Sequence, residues 1–75
     1  MNNVSTEEIK AIKPGATEAF LCDKDKMRSC ATVLSMLNRN GRPEGVAFYE
    51  HKKFWDKGIV IIRAMRECDE PVLNN

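Results

Sequence analysis

The sequence predicts an α+β fold: a two-layer βαββ domain in which a three-stranded antiparallel sheet, order 1-3-2, carries one main helix, with a short helical turn before the first strand. Three observations point there. Met27, Cys30, Ala31, Leu34 and Leu37 recur at the helical period and make one apolar face. Asp56-Lys57-Gly58 stands between two alternating segments, as a hairpin turn does. Ile59-Val60-Ile61-Ile62 is the densest apolar run in the chain and suits a central strand with neighbours on both sides.

Each element has its own local signals. Ser5 and Glu8 fit a capping box, which predicts a helix or helical turn over 6–12. Pro14-Gly15 ends it in a turn, and residues 16–22 (ATEAFLC) read as the first strand. Asp23 is placed to cap the main helix, Asp25 suits the positive end of its dipole, and Cys22 with Met27 forms a hydrophobic staple. Asn40-Gly41 stops that helix, and Pro43 prevents it from resuming.

In the hairpin, a three-residue loop with Gly58 at the left-handed position pairs Trp55 with Ile59, Lys53 with Ile61, His51 with Arg63 and Tyr49 with Met65. That register assigns Val46, Phe48, Phe54, Val60, Ile62 and Ala64 to the core. It leaves Tyr49, His51, Lys53, Trp55 and Arg63 on an open face, with Ile59 and Ile61 among them.

Seventy-five residues make a single domain, 1–75, with an ordered core expected over about 5–67 and an acidic tail that frays after Cys68. The hydrophobic fraction of 43% and charged fraction of 31% describe a globule rather than a disordered chain. No apolar run reaches the roughly 18 residues of a membrane span, and the start of the chain shows no basic-then-apolar signal, so the expected location is the cytoplasm.

Chemistry is sparse. Cys22, Cys30 and Cys68 form no CxxC and leave an odd one out, which argues against a disulfide framework. With His51 they would make four zinc ligands, but no close pair anchors such a site, so no metal and no other cofactor is expected. One histidine, no nucleophile-and-base pattern and a chain too short to enclose a pocket argue against an enzyme and a small-molecule substrate. The glycines of residues 38–45 (NRNGRPEG) follow a helix and precede a strand, the reverse of a phosphate-binding loop, so this segment is a connector with Arg39 and Arg42 left over.

Charge is distributed unevenly. The net charge is +1, yet residues 24–66 sum to +6 between ends of −2 and −3. Basic and ring-bearing side chains interleave on one strand, and Arg28 and Arg39 on the polar side of the helix stand about 16 Å apart. The expected function is therefore non-enzymatic binding of nucleic acid, DNA ahead of RNA, through Arg39, Arg42, Tyr49, His51, Lys53, Trp55 and Arg63. The alternative is a protein-interaction or homodimerising module that uses the same face, since the core is small and the sheet has edges.

Overall fold

A computed structural model describes residues 4–71. The elements run α1 (Thr6–Lys10), β1 (Thr17–Leu21), α2 (Lys24–Arg39), β2 (Phe48–Phe54) and β3 (Ile59–Met65). The strands form one antiparallel sheet in the order β1-β3-β2, so the apolar third strand is central as its composition requires. Among the described residues, no helix is long and apolar enough to cross a membrane.

The helix boundaries follow from their caps. Ser5 Oγ accepts the Glu8 N–H at 3.2 Å, and Asp23 Oδ1 accepts the Lys26 N–H at 2.9 Å. At the other end of α2 the Asn40 N–H returns to the Met36 carbonyl, and Gly41 then takes a φ of 117°, which glycine adopts at least cost. The Arg42 guanidinium donates to the Asn38 carbonyl and satisfies one of the groups that the helix end leaves open.

One sheet face meets both helices. Phe20, Val60, Ile62, Ala64 and Tyr49 pack with Met27, Cys30, Leu34 and Leu37 of α2 and with Ile9 and Ile12 from α1 and its end. Each such aliphatic or aromatic side chain contributes about 1.5–3 kcal/mol when fully buried. In so small a domain each is a large share of the net stability.

The hairpin register differs from the expected one by a residue. β2 and β3 pair Phe54 with Ile59, Lys53 with Val60, His51 with Ile62, Glu50 with Arg63 and Tyr49 with Ala64. The loop is four residues, 55–58, built on a turn in which the Lys57 N–H donates to the Phe54 carbonyl at 3.1 Å, with Gly58 at a φ of 64°. Trp55 thus leaves the ladder, and the faces of β2 exchange. Tyr49 turns into the core, while Phe48, expected there, is 48% exposed. The cause is packing: the expected register sets Glu50 and Lys52 against Ala64 and Ile62 beneath the helix. The observed one seats the Tyr49 ring there and puts Glu50 opposite Arg63.

After β3 the chain bonds back to its own arginines. The Asp69 carboxylate accepts from the Arg66 backbone N–H at 2.8 Å and from its guanidinium at 3.0 and 3.1 Å. These bonds and the adjacent positive charge hold its carboxyl down at about 2. Arg63 Nη1 donates to the Glu70 carbonyl at 2.8 Å, fixing the segment against the sheet. The rest of the expected tail, residues 72–75, lies outside the described residues.

Candidate nucleic-acid interface

Two chain segments meet at one end of the molecule. The 55–58 turn lies beside the start of α2 because the Cys22 N–H donates to the Gly58 carbonyl at 2.7 Å, just before the Asp23 cap. Trp55 is 50% exposed and shares an open depression of about 510 Å³ with Lys24, Asp25 and Arg28. The Lys53 ammonium stands 5.6 Å from the centre of the Trp55 ring. Lys52 and Lys57 lie 5.6 and 5.8 Å from the Phe54 ring. These distances are within reach of a cation–π attraction, worth about 0.5–1 kcal/mol where exposed.

This end carries six bases (Lys24, Lys26, Arg28, Lys52, Lys53 and Lys57) against Asp23, Asp25 and Asp56, a local charge of +3 in a chain of +1. Rings and cations together present what a nucleotide offers in reverse: a flat face to stack on and an anion to neutralise.

The seven residues expected to form the interface divide between several places. Lys53 and Trp55 belong to this end. His51 follows on the same side of β2 and is half-buried; burial first, and the neighbouring Lys53 charge second, keep its imidazole below the ordinary value. Tyr49 is fully buried, its hydroxyl pushed upward by desolvation and without a hydrogen-bond partner among the described residues.

Arg63 lies on the opposite face of the sheet, its side chain 15% exposed, bonded to Glu70 and 3.8 Å from Asp69. Arg39 and Arg42 are exposed at the far end of α2, about 22 Å of helix from Lys24. Arg42 borders a separate depression with Pro14, Val46 and Arg66.

Sequence reading did not single out Lys24, Lys26, Lys52, Lys57 and Phe54, and it set Arg28 beside Arg39 rather than beside Trp55. Lys24 and Arg28 stand four residues apart at the start of a capped helix, a spacing that puts them on one side of it. That signal is legible, but only the closure of the turn onto α2 connects it to Trp55.

Among the described residues, no group of three or more His, Cys, Asp or Glu side chains gathers to hold a metal ion. Cys22 and Cys30 are buried and Cys68 is exposed. Burial, with Cys22 nearby, pushes the Cys30 thiol up to about 11. No protein-family model, curated protein or solved structure matches the chain.

Proposed function

We propose that the protein binds nucleic acid, without catalysing a reaction, through the end formed by the 55–58 turn and the start of α2. The observation that carries this reading is Trp55. It is half exposed, with Lys53 at its ring and Lys24 and Arg28 across the same depression. A base stacked on an aromatic side chain contributes roughly 1–3 kcal/mol, and each lysine or arginine that meets a phosphate releases a condensed counterion. Two of the three acidic residues of this end are partly spent on the helix: Asp23 caps it, and Asp25 lies in its first turn.

Arg39 and Arg42 act at most as distant phosphate contacts, and Arg63 is engaged with the segment that follows β3. The interface is thus centred on Trp55 rather than spread along β2.

Fluorescence anisotropy with single- and double-stranded DNA and RNA probes, titrated with salt, tests the reading. Lys53→Ala and Arg28→Ala should each weaken binding and lower the salt slope by about one. Trp55→Ala should weaken it by about 5- to 150-fold with the slope unchanged. Absence of binding to every probe at low salt, or a loss with Arg39→Ala and Arg42→Ala that Trp55→Ala does not share, refutes it.

A further inference from the structure

Trp55 is half exposed and lines an open depression of about 510 Å³, a size suited to one small ligand rather than to a helix or a strand. A ring so placed stacks on a base whose face is free. A duplex hides its base faces everywhere but at its ends, so stacking here selects an unpaired base.

The same depression holds a carboxylate. Asp25 lines it with Lys24 and Arg28, and Arg28 stands three residues after Asp25 and four after Lys24, neighbour spacings on a helix. The three acids of this end differ in what they do. Asp23 Oδ1 accepts the Lys26 N–H, and Asp56 sits in the turn, outside the lining. The Asp25 side chain makes no hydrogen bond or ion pair among the described residues. Its charge suits the helix dipole, but that role occupies neither oxygen.

We infer that the depression takes one unpaired guanine, stacked on Trp55 with its base-pairing edge on Asp25. The inference rests on the nucleic-acid reading above and narrows it to one base. An ionised carboxylate has two acceptor oxygens and no donor. Guanine sets its N1–H beside its exocyclic N2 amine, two donors that match the two oxygens in one bidentate pair.

The other bases fit less well. Cytosine and adenine set one amine beside a ring-nitrogen acceptor, and thymine or uracil sets N3–H between two carbonyls. Each offers a single bond and turns a lone pair toward the second oxygen. In a duplex the guanine donors are taken by cytosine, so this edge too selects an unpaired base. Lys24, Arg28 and Lys53 are left to the neighbouring phosphates.

Fluorescence anisotropy at low salt tests it, with short oligothymidine probes that carry one central guanine, adenine or cytosine, or none. Adenine is the control for purine stacking. The guanine probe should bind about 5- to 150-fold more tightly than the adenine probe, as a bidentate base contact does. Annealing the guanine probe to its complement should remove the gain. Asp25→Asn replaces two acceptors with one acceptor and one donor, and at an exposed position it keeps the fold. It should bring guanine down to the level of adenine and bind all-thymidine no more weakly than the wild type, since a negative charge is gone. Equal binding of all four single strands, weakened by Trp55→Ala, would leave the proposed function standing and overturn the guanine site. A guanine advantage over adenine that survives Asp25→Asn would overturn it as well. Absence of binding to every probe would refute both.

Discussion

Asn38 grips the backbone of Tyr49: its side-chain carbonyl accepts the Tyr49 N–H at 2.7 Å, and its amide donates to the Tyr49 carbonyl at 3.2 Å. One side chain of α2 thereby pairs both groups that the edge strand β2 turns outward at this residue. Asn38→Ala leaves two part-buried backbone groups unmade and should cost about 1–3 kcal/mol in denaturant unfolding. Asn38→Asp keeps the acceptor alone and should fall between the variant and the wild type. Faster amide exchange at Tyr49 in Asn38→Ala is the local readout.

The register makes opposite demands of neighbouring aromatic residues. Tyr49→Ala should cost about 3–5 kcal/mol, as truncation of a buried ring does. Phe48→Ala, at a half-exposed position on the other face, should cost distinctly less. Tyr49→Phe should be close to neutral, since its hydroxyl bonds to no described residue. Equal losses at Phe48 and Tyr49 would contradict the observed pairing.

Stability should decline in mild acid through His51. Burial and the Lys53 charge hold its imidazole below the ordinary value, so the unfolded chain takes up the proton before the folded protein does. The stability tied to the neutral ring is complete above a pH of about 6.5 and is lost as pH falls through the folded-state value. Unfolding titrations at a series of pH values should show a decline for the wild type below about 6.5 that is shallower in His51→Gln.

Local chemistry was enough to read most of this fold. The caps at Ser5 and Asp23, the stop at Asn40-Gly41 and the central place of Ile59–Met65 all follow from residues next to one another or one helical turn apart. The hairpin register did not, because residues 49–53 (YEHKK) put polar side chains on both faces of β2 and give alternation nothing to choose between. Tertiary contacts decide it: the core seat for the Tyr49 ring and the grip of Asn38, eleven residues away. The candidate site divides along the same line. Lys53 and Trp55 are two residues apart and were legible as a pair, whereas joining them to Lys24 and Arg28 needs the bond between Cys22 and Gly58.

Trp55 is the only tryptophan in the chain, so tryptophan emission comes from the proposed interface alone. The most direct measurement is a fluorescence titration of the wild type with a short single-stranded oligonucleotide at low salt, repeated at moderate salt. Stacking of a base on the half-exposed ring predicts saturable quenching. Its midpoint should move to higher concentration as salt rises, in step with anisotropy of a labelled probe. Binding seen by anisotropy with the Trp55 emission unchanged, or no binding by either signal, would contradict the account.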